Sequence, residues 1–136
     1  TAIKSLNYLE NVLAQQEAFG QGADEALLLN TSGRLAGGCS TNLFLVADGG
    51  ITTPPIQEGA LPGIIRQAIL DVSPTCGIAN KERPITLADI AQADEAFLTN
   101  GLIGVRPLVV FNGTPIGIGK PGPITLALQT ACRSLG

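Results

Sequence analysis

Residues 43–53 read LFLVADGGITT. The run 43–47 is apolar, with an aromatic and a β-branched residue in it, and predicts a strand. Asp48-Gly49-Gly50 is turn chemistry and 51–53 predicts a second strand, so the stretch reads as a hairpin. Pro54-Pro55 ends it, because proline brings no N–H to a ladder. Upstream, 26–30 predicts a strand before a turn at Thr31-Ser32-Gly33, and 36–42 (AGGCSTN) reads as a polar, small-residue connection. Downstream, the glycine-rich 59–63 leads into a helix over 64–70. Thr86 and Asp89 have capping-box spacing for a short helix ending near residue 93. EAFLTN at 95–100 predicts a strand, 101–104 a loop, and 108–111 a strand entering an Asn112-Gly113 hairpin. A last helix spans 124–135. Near the start, Leu6, Leu9, Val12, Leu13 and Phe19 fall at helical spacing, with Ser5 as cap and Gly20 and Gly22 as stop. Hairpins mixed with separate helices predict one α+β domain over 1–136, not a doubly wound sheet.

The 136 residues suffice for a real core, and 45% apolar with only 14% charged residues argues against disorder. So little charge implies that a further domain or subunit covers part of the surface. A net charge of −3 gives no electrostatic case for nucleic acid or an anionic membrane. No apolar run reaches the ~20 residues of a membrane span. Cys39, Cys76 and Cys132 are odd in number and far apart, which predicts reduced thiols in the cytoplasm. Histidine is absent. That excludes Ser-His-Asp and Cys-His catalysis and His-rich metal sites, and leaves lysine, carboxylates, Tyr8, thiols or a cofactor for proton transfer.

Lys4 is open to two readings. A lysine at a helix start is ordinarily a solvated charge. Desolvated, it is a neutral amine that attacks carbonyls. Tyr8 lies about one helical turn away. Residues 117–122 match G-x-G-x-x-G, but two prolines and the missing βαβ unit make them a turn. Asp94-Glu95 reads as a solvated strand edge, Cys39 has no base to activate it, and Thr1 as a nucleophile lacks the sandwich fold that chemistry needs. Two glycine turns carry more. Gly63-Ile64-Ile65, at a helix start, suits phosphate. Asn100-Gly101, at a strand end, offers a second cradle. With a lysine, they suit a phosphorylated carbonyl cofactor.

KSLNYLENVLAQQEA at 4–18, GADEALLLN at 22–30, GRLAGGCSTNLFLV at 33–46, GALPGIIRQAIL at 59–70 and ADEAFLTNGLIGVRP at 93–107 resemble the C-terminal domain of class IV, fold-type IV pyridoxal-phosphate enzymes. These include branched-chain and D-amino-acid aminotransferases and 4-amino-4-deoxychorismate lyase. The resemblance implies a hairpin-rich β pseudo-barrel flanked by helices, pyridoxal 5′-phosphate as cofactor, an amino-acid-like substrate and a homodimer. It makes Lys4 the Schiff-base lysine and Tyr8 a partner of the ring hydroxyl. Gly63, Ile64 and Ile65 become the phosphate turn, and Asn100 and Gly101 a second one. The Asn-Gly-Leu-Ile-Gly turn at 100–104 is similar to the lyase, which gives the leading expectation of pyruvate elimination to 4-aminobenzoate. The tail at 117–125 is similar to the aminotransferases, which gives the alternative.

Two departures qualify this. The family places a glutamate against the pyridine nitrogen where this chain has Gly37. Losing that ion pair costs roughly 100-fold or more in rate, and a degenerate, non-catalytic domain is the third expectation. The family also has an N-terminal α/β domain, so the chain's start reads as a domain boundary.

Overall fold

A computed structural model describes residues 25–135. The helix expected over residues 6–19 lies outside them. The strands are β1 (Leu27–Leu29), β2 (Leu35–Gly38), β3 (Asn42–Ala47), β4 (Gly50–Thr53), β5 (Asn80–Glu82), β6 (Glu95–Asn100), β7 (Gly104–Pro107), β8 (Val110–Phe111) and β9 (Thr114–Pro115). The helices are α1 (Ile64–Val72), α2 (Leu87–Gln92) and α3 (Pro123–Leu135). The fold is α+β. A five-stranded sheet runs β5-β4-β3-β6-β7, flanked by the hairpins β1-β2 and β8-β9.

The opening stretch forms the centre of this sheet. Asp48 and Gly49 take φ of 53° and 78°, the left-handed pair that a two-residue hairpin between Ala47 and Gly50 requires. Asn112 and Gly113, at 50° and 77°, repeat the device between β8 and β9. Successive β3 side chains enter opposite layers. Leu43 and Leu45 join Leu35, Ile85, Ile90, Ala96, Leu98 and Ile116 on the face covered by β2 and α2. Phe44 and Val46 join Ile51, Phe97, Val105, Ile69 of α1 and Leu128 of α3 on the other. Both faces are buried, so β3 reads as a continuous apolar run rather than an alternating one. Phe44 lies opposite Phe97 in the ladder, and their rings stack with centroids 4.9 Å apart.

Several elements differ from expectation. Residues 35–38 form a strand, although Ala and two Gly carry little β propensity. The β1 ladder and a bridge from Leu35 to Ile85 hold it in place. β5 is polar and runs parallel to β4, so the sheet is not built from hairpins alone. Of the strand expected over 108–111 only Val110–Phe111 forms, as β8. β7 begins earlier, at Gly104, and occupies an edge where Pro107 is tolerated. The capping box forms as read, with Thr86 Oγ1 accepting from Asp89 N–H and Asp89 Oδ2 from Thr86 N–H. Asp94 is exposed and accepts from Asp48 N–H.

Glu95 corrects the reading of a solvated edge: it is 8% exposed. Its carboxylate accepts from Thr125 N–H at 2.8 Å and Ile124 N–H at 3.3 Å, capping α3 from a neighbouring strand. Gly122 admits this contact, since a Cβ there would strike the Glu95 side chain. Glu95→Ala should therefore lower the unfolding free energy by about 1–3 kcal/mol. Urea denaturation checks it, with Glu95→Gln falling between the two.

Candidate functional site

The glycine before α1 opens a helix end that no side chain caps. Gly63 is the N-cap at φ −71°, ψ 144°, with no side-chain hydrogen bond to the first turn. The leading N–H groups of a helix have no partner within it. Here Ile64 and Ile65 present theirs at the positive end of the helix dipole, which is the chemistry of an oxyanion cradle. The Ile65 side chain turns inward against the Phe44–Ile69 layer, leaving only its amide to the cradle. Ile64 is 85% exposed.

Long-range contacts position this opening. Asn42, the first residue of β3 and 2% exposed, donates from Nδ2 to Leu61 O at 2.7 Å. Its Oδ1 lies where a Cβ on Gly63 would sit, so only glycine lets the strand and the helix start approach this closely. On the other side, Glu58 accepts from Arg34 Nε at 2.5 Å and Nη2 at 3.0 Å. Asn30 Nδ2 reaches Glu58 O at 3.0 Å. The Arg34 hydrogen bonds, joined by one from Asn30 Nδ2 to Glu58 Oε1 at 3.2 Å, hold the Glu58 carboxyl below its ordinary range. Arg66, one turn into α1 and 4% exposed, donates to Pro54 O at 3.3 Å and Glu82 Oε1 at 2.5 Å.

Two further loops meet this one at the same end of the sheet. Asn42 pairs with Thr99 across β3 and β6, and Asn100 Nδ2 donates to Ser40 O at 3.3 Å. Asn100 Oδ1 accepts from Leu102 N–H at 2.9 Å and Ile103 N–H at 2.8 Å. The second glycine turn is therefore occupied by its own asparagine, and those two amides are committed within the turn.

The Gly37-Gly38 loop closes through Gly38 N–H to Thr41 O at 3.1 Å. Gly37 has φ 145°, and an added Cβ would stand 2.7 Å from Thr41 O. The backbone thus excludes any side chain at 37, including a carboxylate. Cys39 is half-buried in this loop. No disulfide joins the three cysteines. Among the described residues no cluster could hold a metal, and no helix is long and apolar enough to cross a membrane.

The structure thus gathers Gly37, Gly63, Ile64, Ile65, Asn100 and Gly101 at one end of the sheet; Lys4 and Tyr8 lie outside the described residues. For a phosphorylated pyridine cofactor, the phosphate end fits α1, and position 37 does not fit the ring nitrogen. Sequence reasoning missed Asn42, Glu58 and Arg66. Only Arg66 left a trace, as a charge inside the apolar run IIRQAIL.

The family described as amino-transferase class IV matches residues 1–110. A putative branched-chain-amino-acid aminotransferase of Methanocaldococcus jannaschii is 38% identical over 134 residues, 98% of this chain and 46% of the relative. The crystal structure of the Escherichia coli branched-chain amino acid aminotransferase superposes with TM-score 0.91 at 35% identity, over 95% of this chain and 43% of that one. The PLP-form structure of the Thermobaculum terrenum branched-chain enzyme gives 0.89 at 33%, over 96% and 43%. The chain spans less than half the length of these relatives.

Asn42→Ala should lower stability by about 1–3 kcal/mol. Gly63→Ala, which drives out the same amide, should be non-additive with it in a double-mutant cycle read by urea unfolding. A carboxyl held low in the fold contributes stability above its unfolded pKa, about 4.3 for glutamate, and loses it as pH falls through the folded value. Stability should therefore drop below about pH 5. Glu58→Gln should flatten part of that drop, and Asp89, held low chiefly by the Thr86 N–H, should keep the remainder.

Proposed function

The chain belongs to the class IV amino-transferase family, and from that premise we propose that it is the cofactor-binding domain of a pyridoxal-phosphate enzyme that moves an amino group from a branched-chain amino acid to a 2-oxo acid. What supports the reading is the uncapped, glycine-opened start of α1, locked to β3 by Asn42, in a chain this similar to such aminotransferases. Bound pyridoxal phosphate would supply an electron sink for the pair left when the substrate's α-proton departs. The remaining work falls to the protein. The Ile64 and Ile65 amides hold the phosphate and set the cofactor's register. Asn42, and Glu58 through Arg34, keep those amides aimed. Lys4 would hold the cofactor and, with the bound group as electron sink, would carry the proton at the substrate carbon. Tyr8 orients the ring through its hydroxyl. The rest of the protein completes the substrate pocket, in a cytoplasmic homodimer.

A second reading, pyruvate release by a 4-amino-4-deoxychorismate-lyase-type enzyme, rests on the resemblance of the turn at 100–104 to that of the lyase. There Asn100 takes the amides of Leu102 and Ile103 and closes the second cradle. In the whole protein, added pyridoxal phosphate should give visible absorbance distinct from that of the free cofactor and abolished by Lys4→Ala. Amino transfer from leucine that requires a 2-oxo acid acceptor supports the first reading. Pyruvate and 4-aminobenzoate formed without an acceptor support the second. A cofactor spectrum indifferent to Lys4→Ala overturns both and leaves a non-catalytic domain.

A further inference from the structure

The turn at 100–104 is shut by the residue that begins it. We infer that Asn100 is a specificity-determining residue, whose side-chain carboxamide fills the place where the acid group of a substrate or cofactor would otherwise dock. The site therefore offers an anion one position, at the start of α1, rather than two. The inference rests on the pyridoxal-phosphate reading above, and it departs from the resemblance, which makes Asn100 and Gly101 a second phosphate turn. Asn100 ends β6, next to Thr99, whose ladder partner Asn42 holds the loop that opens α1. The turn thus stands at the same end of the sheet as the helix-start cradle.

Successive backbone N–H groups that converge on one point make an anion-binding concavity. Those of Leu102 and Ile103 do converge, at 2.9 and 2.8 Å, but on Asn100 Oδ1. The other end of the carboxamide is used as well, since Nδ2 donates to Ser40 O at 3.3 Å. A flipped carboxamide would set its NH2 against two N–H donors and its oxygen against a carbonyl, so three contacts fix the orientation. An acid group reaches the two amides only by displacing Asn100 from all three. The start of α1 is the contrast, because no side chain caps its first turn. What the turn leaves in the open is aliphatic: Leu102 is 93% exposed and Ile103 37%. Beside the cradle it offers apolar contact in place of a second set of donors.

The test labels the whole protein with ¹⁵N in leucine and isoleucine, so that the amides of Ile64, Ile65, Leu102 and Ile103 report together. Inorganic phosphate stands for the cofactor's acid group and acetate for a substrate's. In wild type, phosphate should shift the Ile64 and Ile65 signals saturably, and neither probe should move those of Leu102 and Ile103. Asn100 lies outside the left-handed region, so alanine fits its backbone. Asn100→Ala should free the two turn amides, and acetate or phosphate should then shift both signals saturably. Asn100→Asp keeps an acceptor in place, so the Leu102 and Ile103 signals should move together as that carboxyl titrates, in a step absent from wild type. Wild-type Leu102 or Ile103 signals that saturate with either probe, or Asn100→Ala signals that ignore both, overturn the inference. Should Asn100→Ala fail to fold, wild type and Asn100→Asp decide, and turn signals indifferent to the titration overturn it equally. Ile64 and Ile65 signals that ignore phosphate are a different failure, that of the cradle and of the cofactor reading.

Discussion

A buried amide holds the candidate site together. Asn42 is the first residue of the central strand, and its side chain reaches the loop that opens α1. Inside a protein, an amide out of contact with water must be paired or it costs about 1–3 kcal/mol. The loop must therefore come to Asn42, and Gly63 is the residue that lets it come close enough. The free helix N–H groups are aimed by the sheet rather than by the helix. The helix has no side-chain cap of its own, so its first turn stays available to an anion while the backbone around it is fixed.

The legibility of the fold follows how local each cause is. β3 and β6 were readable because burial on both faces favours apolar runs, and β4 because the turn before it demands Asp-Gly or a close equivalent. The capping box at Thr86 was readable because both partners lie within four residues. β2, β5 and β7 were not, because small, polar or proline-containing segments become strands only when a neighbour offers a ladder. Glu95 was misread for the same reason: its partner, the start of α3, lies 29 and 30 residues away. In the site, the glycine turns announced themselves. Asn42, Glu58 and Arg66 act through contacts 12 to 28 residues distant, which no local pattern encodes.

Glycine plays opposite roles at the two ends of the site. At 63 its missing side chain brings an amide and a helix start together, and the result is a helix end held in place with no side-chain cap. At 37 it permits a backbone conformation that an L-residue side chain resists, and the result is a gap where the resemblance places a carboxylate. The proposed phosphate end keeps its chemistry in backbone amides, which do not depend on the side chain at Ile65. The ring end depends on a side chain, which a glycine cannot replace.

The β1-β2 hairpin links the two ends. Its turn carries Asn30 and Arg34, which grip Glu58 and so the loop before α1. Its open end carries Glu25 against Gly38. Both depend on one register, Leu27 opposite Gly38, with the irregularity between Leu28 and Leu29 taken up toward the turn. A slip of one residue would turn Glu25 to the opposite face and move Arg34 away from Glu58 at once. Register here is fixed less by the short β1 and the two glycines of β2 than by Leu35, whose N–H bonds Ile85 O at 2.8 Å and whose side chain is buried in the core. The core on the α2 side of the sheet thus sets the geometry of this hairpin at both its turn and its open end.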